Sequence, residues 1–262
     1  MPKSAENQIF AGDLSTNSLV GSGNFLELSE LRKDLKALAT KERQMGSAKY
    51  FKTGPGEYGE GDTFIGVTVP DTRKIAKQYK DLHMEQIDEL AHSKIHEERL
   101  CALLILNHRY SKAKSNEERI ELFEFWLALL RENLINNWDL IDTSAPVMGE
   151  ILSRHVGYGA EFLHGMAASD HLWTRRAAIM LTFALIRIGK FGPTKAIALD
   201  LINDKHDLIH KASGWMLREM GNRDKAELRS FLDKHKTKMP RTMLRYAIKK
   251  LDPQERKDYL AS

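Results

Sequence analysis

The sequence predicts an all-α protein built as a helical-repeat solenoid, and three observations lead there. From Leu28 onward apolar residues recur at spacings of three and four with few interruptions. Three segments, Trp173-Thr-Arg-Arg-Ala177, Leu208-Ile-His-Lys-Ala212 and Met243-Leu-Arg-Tyr-Ala247, align without gaps at a period of 35 residues. That is the length of a two-helix solenoid unit, and Trp138 falls one period earlier. Each segment begins apolar and ends in alanine, the small side chain that close helix packing needs.

Residues 1–27 carry Gly12, Gly21 and Gly23 among Ser, Asn and Thr with no sustained apolar period, and read as a flexible or loosely docked extension. A single domain over residues 28–262 is expected to follow. Leu28, Leu31, Leu35 and Leu38 predict its first helix, with Ser29 available as an N-cap. The stretch from Lys52 to Val69 breaks the pattern. It contains a literal Gly-x-Gly-x-x-Gly at Gly54, Gly56 and Gly59, but no strand precedes it and Pro55 sits inside it, so a structured loop is expected rather than a nucleotide-binding turn. Pro70 then opens a helix carrying Arg73, Ile75, Ala76 and Tyr79. Further on, Gly192-Pro193, Met239-Pro240 and Asp252-Pro253 place proline where helices can begin.

At 262 residues, 42% hydrophobic and 29% charged, the chain can bury a sizeable core. Its single cysteine, Cys101, lies in an apolar run and reads as an inert core thiol, so no disulfide can form within the chain. No stretch has the length of a membrane span and the first residues lack a signal-peptide pattern, which makes a cytoplasmic location the expectation. The net charge of +4 conceals an asymmetry: residues 171–262 hold 20 Lys and Arg against 10 Asp and Glu, which leaves 20 against 26 for residues 1–170. A basic C-terminal surface suits a phosphate-bearing partner, although it can also be a solvated helix face.

Four residues on successive helical segments form the candidate site: Trp138, Asp142, Arg176 and Trp215. Trp138 and Asp142 stand four apart, on one side of a helical turn. Thr143 or Ser144 can be read as an N-cap with Pro146 early in the next helix, which would set Asp142 beside a helix N-terminus and keep it ionised. Asp142 as a plain helix cap, and Trp138 as a packing residue, are the ordinary alternatives. Arg175 and Arg176 fall in the first turn of a helix, where the dipole disfavours cations, which hints at an external anion. Lys211 and Arg218 flank Trp215 at i−4 and i+3, giving an indole between two cations; a buried tryptophan is the competing reading. Arg245 repeats the basic position one unit later. His92 and His96 are four apart without a third ligand nearby, so no metal site is expected.

The runs Gly-Glu-Gly-Asp-Thr-Phe-Ile-Gly-Val-Thr-Val-Pro-Asp-Thr-Arg-Lys-Ile-Ala-Lys at 59–77, Asn-Trp-Asp-Leu-Ile-Asp at 137–142, Trp-Thr-Arg-Arg-Ala-Ala at 173–178 and Lys-Ala-Ser-Gly-Trp-Met-Leu-Arg-Glu at 211–219 resemble the AlkD-type DNA alkylation repair family. The resemblance covers Leu28 to the C-terminus. It implies a HEAT-like solenoid with a basic concave surface for duplex DNA, and a monomeric, monofunctional glycosylase that removes cationic N3- and N7-alkylpurines without a deep base-flipping pocket. It also implies Asp142 as the catalytic carboxylate, Trp138 and Trp215 as aromatics flanking the lesion-bearing sugar, and Arg176 as a DNA-contacting arginine. Arg175, Lys211, Arg218 and Arg245 are then further phosphate contacts, and no metal or cofactor is called for. A catalytically silent solenoid that binds bent or branched DNA is the alternative, and a protein-binding scaffold the third reading.

Overall fold

We describe residues 21–261 of a computed structural model of the protein, with side chains from Glu27 onward. The expectation of a loose extension therefore falls, for residues 1–20, outside the described residues. The first helix, α1 (Gly21–Ala37), already begins within that stretch. Ser29 lies inside α1 and caps nothing, because the apolar period that locates a helix does not by itself mark its start.

The N-terminal part continues with α2 (Lys41–Tyr50), α3 (Val69–Gln78), α4 (Met84–Ala91), α5 (His96–Lys112) and α6 (Asn116–Arg131). The central part holds α7 (Trp138–Met148), α8 (Ala160–Ala167), α9 (Leu172–Leu181), α10 (Phe183–Arg187) and α11 (Gly192–Asp200). The chain closes with α12 (Asp207–Arg223), α13 (Lys225–His235), α14 (Arg241–Ala247) and α15 (Pro253–Ala261). Among the described residues there is no strand, only an isolated parallel bridge between Thr63 and Ile95. The prolines stand where expected: Pro70 in the first turn of α3, Pro193 in that of α11, Pro240 as the residue before α14, and Pro253 opening α15.

Five helices, α5, α7, α9, α12 and α14, pack one on the next to form an inner row, while α4, α8 and α13 back onto their neighbours from outside. The period of 35 is what aligns the last three of the row. Ala177, Ala212 and Ala247 are all fully buried between them. Contact between α12 and α14 is close at Gly214 of α12, where a Cβ would stand 2.4 Å from the carbonyl oxygen of Met243 and 2.6 Å from Cβ of Tyr246. Only glycine lets α12 and α14 approach this closely. Cys101 is buried in α5, and its surroundings push the thiol up to about 12, as an inert core cysteine requires.

The glycine-rich segment after α2 is an ordered loop, held down from α5. Buried Glu97 accepts hydrogen bonds from the backbone N–H groups of Ile65, Gly66 and Val67. Gly66 has φ +85°, and a Cβ there would meet the Thr40 carbonyl oxygen at 2.3 Å. One carboxylate thus satisfies three successive donors that have no sheet to enter.

Candidate active site

Asp142 and Arg176 meet where α7 packs on α9. The guanidinium grips both carboxylate oxygens, Nε donating to Oδ1 at 2.9 Å and Nη2 to Oδ2 at 2.8 Å, while Nη1 donates to the backbone oxygen of Leu208. The side chains are 14% and 5% exposed, so the pair is nearly desolvated, with Asp142 facing the cleft. Burial pushes the Asp142 carboxyl above its ordinary value. The charge and hydrogen bonds of Arg176 act against that rise, and the nearby charge of Asp139 adds to it.

The expected helix break at Thr143 or Ser144 is absent. α7 runs unbroken through Pro146, Asn137 is its N-cap, donated to by the N–H of Trp138 at 2.9 Å, and Ser144 is fully buried with its hydroxyl between Leu140 O and the Trp126 indole. Asp142 therefore lies within a helix rather than at an N-terminus, and its partner is a guanidinium rather than a dipole. Pro146 still matters to it: lacking an N–H, it offers no helical hydrogen bond to the carbonyl of residue i−4, which is Asp142.

Two adjoining clefts meet at this carboxylate. One, of about 360 Å³, is lined by Lys52, Tyr58, Arg176, Lys211 and Tyr246. The other, of about 620 Å³, is lined by Phe51, Phe64, Arg73, His96 and Asp139. Tyr50, Trp138, Asp142 and Trp215 border both. The row Arg176, Lys211 and Tyr246 repeats at the period of 35, so the solenoid register itself brings these side chains to one wall.

Both candidate indoles are half-buried rather than core. Trp138 stacks on Phe51 with ring centroids 5.3 Å apart, Phe51 stacks on Phe64 at 5.0 Å, and Phe64 lies on the His96 ring at 4.5 Å. Trp215 donates its indole N–H to Glu219 at 2.9 Å, leaving its ring along the clefts. Beneath the aromatic stack His96 is clamped between Asp62, 3.0 Å from Nδ1, and Asp139, 2.8 Å from Nε2. Burial opposes its charge, but the two carboxylates outweigh burial and bring the imidazole up to about 9. Burial likewise tends to raise Asp62, but His96, Arg99 and the Asn137 amide bring it down to about 2. Both ring nitrogens of His96 are thus taken up by carboxylates. His92 instead contacts Asp88 and Glu132, and no group of three His, Cys, Asp or Glu among the described residues is placed to hold a metal.

The expected phosphate contacts divide. Arg176 is turned inward and engaged as described. Arg175 is likewise held, by Asp204 at 2.6 Å and by the backbone oxygens of Ser169 and Asp170, so the two first-turn arginines are compensated by internal carboxylates and carbonyls rather than left for an outside anion. Arg218 is mostly covered beside Glu219. Lys211 reaches the cleft while paired with Asp207 at 2.7 Å, and Arg245 is exposed with no ion pair among the described residues. Sequence reasoning missed Tyr50, Lys52, Tyr58 and the stack of Phe51, Phe64 and His96, whose loop reads as glycine-rich punctuation and whose histidine was weighed only as a metal ligand.

Fold and cleft define an all-helical repeat protein whose buried acid–guanidinium pair shares a cleft with two half-exposed indoles. The chain belongs to the DNA alkylation repair enzyme family, whose model matches residues 31–251. It is similar in structure to a predicted DNA alkylation repair enzyme from Enterococcus faecalis, with TM-score 0.63 and 16% identity over 82% of this chain and 97% of that one. It is also similar to AlkD2 from Streptococcus mutans, with TM-score 0.50 and 19% identity over 87% and 99% of the two chains. No curated protein matches it. The fold is accordingly the all-α, HEAT-like solenoid of that family, and the family assigns the chain to DNA repair. No described helix is long and apolar enough to cross a membrane.

Proposed function

We propose that the protein is a monofunctional DNA glycosylase that releases cationic N3- and N7-alkylated purines from duplex DNA. The observation that carries this reading is Asp142, ion-paired to Arg176 and lining, with the indoles of Trp138 and Trp215, both of two adjoining clefts. Alkylation at N3 or N7 makes the purine a cation. As the bond from C1′ to nitrogen breaks, its electron pair leaves with the base, which becomes neutral, and positive charge passes to the deoxyribose. A carboxylate aimed at that sugar stabilises the charge, and indole faces add cation–π attraction.

Water completes the reaction by bonding to C1′ and giving up a proton, which Asp142 can accept. The raised proton affinity that burial gives this carboxyl makes it a better base than an exposed aspartate. Arg176 fixes the carboxylate plane and keeps it charged, so its role is positioning rather than phosphate binding. Lys211 and Arg245 remain suited to the DNA backbone, and the open clefts fit a base that is not swallowed by an enclosed pocket. The chemistry needs no lysine adduct, metal or cofactor.

The test is release of 7-methylguanine and 3-methyladenine from methylated duplex DNA by wild type and Asp142→Asn side by side. Release by wild type alone supports the assignment. No release by either, with DNA binding intact, replaces it with a structure-specific DNA-binding protein.

A further inference from the structure

Lys52 stands apart from the other cations of the cleft of about 360 Å³. Arg176 is neutralised by Asp142 and Lys211 by Asp207, whereas Lys52 is exposed and makes no ion pair among the described residues. Its ammonium lies 6.0 Å from the centre of the Tyr58 ring, at the outer reach of a cation–π contact. Its backbone is equally unusual. Lys52 has φ +53° and closes α2: its N–H bonds to Lys49 O, and that of Thr53 to Ala48 O. These are the two bonds of a Schellman motif, with Lys52 at the left-handed position that glycine usually fills. A lysine there strains the turn in return for a side chain, and the side chain reaches the cleft. The helix it ends buries none of its own residues, and Lys41 and Lys49 upon it also have no ion pair among the described residues.

We infer that Lys52 is a phosphate-binding residue that grips the DNA backbone from the N-terminal side of the cleft, opposite the basic C-terminal repeats. The inference rests on the proposed DNA substrate. It adds a contact that the charge count of residues 1–170, net acidic, gives no reason to expect. Binding of phosphate by an unpaired ammonium releases a counterion, so it is read from salt dependence.

The experiment measures binding of undamaged duplex DNA across a salt series by wild type, Lys52→Met, Lys52→Arg and Lys52→Gly, with melting temperatures and with base release from methylated DNA by wild type. A phosphate contact predicts that Lys52→Met flattens the slope of log K against log salt by about 0.9. Lys52→Arg should keep the wild-type slope. Lys52→Gly should bind as weakly as Lys52→Met while melting higher than wild type, because glycine relaxes the turn. An unchanged slope in Lys52→Met overturns the inference and leaves the glycosylase reading to stand on base release. A lower melting temperature in Lys52→Gly also overturns it, by showing that the lysine serves the fold. Absence of DNA binding by wild type overturns both.

Discussion

Arg176 holds both oxygens of Asp142, at 2.9 and 2.8 Å, from the neighbouring helix of the inner row. The fork opposes the protonation that burial favours for a carboxylate only 14% exposed at the junction of two helices. Removing the guanidinium while keeping the carboxylate strands a buried charge, which costs about 3–5 kcal/mol. Arg176→Met should therefore destabilise strongly at neutral pH. Because a raised carboxyl holds its proton more tightly folded than unfolded, that loss should shrink as pH falls toward protonation of Asp142. Adding Asp142→Asn should restore much of the stability and none of the activity; denaturant titrations of the single and double variants at several pH values decide it.

Activity should report the same pair. Asp142 acts only when ionised, so base release has an acid limb, and burial places that limb above the ordinary carboxylate value of 3.8. Loss of Arg176 removes the influences that lower this group and moves the limb to still higher pH. Single-turnover release measured against pH, with an unmoved limb in Arg176→Met, would exclude Asp142 as the titrating group.

The clamp under the aromatic stack makes a prediction at the other end of the pH scale. His96 is raised from 6.5 to about 9, so its contribution is complete below the unfolded value of 6.5 and disappears as pH rises through about 9. A shift of this size corresponds to a few kcal/mol, on the order of 3. The depressed Asp62 describes the same interaction from its partner, so the two are not added; its share is present above 3.8 and is lost as pH falls through about 2. Wild type should lose stability between pH 7 and 10, and His96→Gln should be less stable at neutral pH but flat over that range. Equal slopes in the two proteins would show that the imidazole is neutral.

The tryptophans separate site from core. Trp126 is fully buried, and its replacement by alanine should cost about 3–5 kcal/mol. Trp215 has its ring along the clefts and its N–H on the partly buried carboxylate of Glu219, so Trp215→Ala should reduce base release by a larger factor than it lowers stability. Trp138→Ala should do both, since its ring also carries the stack on Phe51. A melting loss for Trp215→Ala equal to that for Trp126→Ala would return this indole to the core.

What the sequence revealed and what it hid follow one physical line. The register of Trp173, Leu208 and Met243 is a packing pattern, set by helix geometry, so the row and its alanines could be read before any coordinates. Asp142 falls one period before Ala177, where the repeat otherwise buries alanine, and so a carboxylate at the helix interface is visible in the same alignment. Its partner was not: that Arg176 turns inward depends on the separation of α7 and α9, which no spacing encodes. Pro146 misled for a related reason, since tertiary packing keeps α7 helical across a residue that ordinarily ends helices. The loop over residues 51–68 was opaque because its anchors, Glu97 and Asp62, act through contacts more than 30 residues apart in the chain.

Gly214 ties fold to site most directly. The helix α12 carries Lys211 and Trp215 on either side of it, and α14 presents Tyr246 to the same cleft. A methyl group at Gly214 would fall 2.4 Å from backbone oxygen and 2.6 Å from a Cβ, neither of which can swing away, so Gly214→Ala must push α12 off α14. Overpacking of this kind costs about 1–3 kcal/mol, against the gain of up to about 1 kcal/mol that alanine brings to a helix interior. Gly46 in α2 supplies the contrast, for a Cβ there meets nothing within 4 Å, and Gly46→Ala should melt higher than wild type. Gly214→Ala should melt lower and release base more slowly even where it is fully folded, since the walls of the cleft have shifted. Wild-type melting and wild-type release in Gly214→Ala would mean that α12 and α14 do not approach as closely as described.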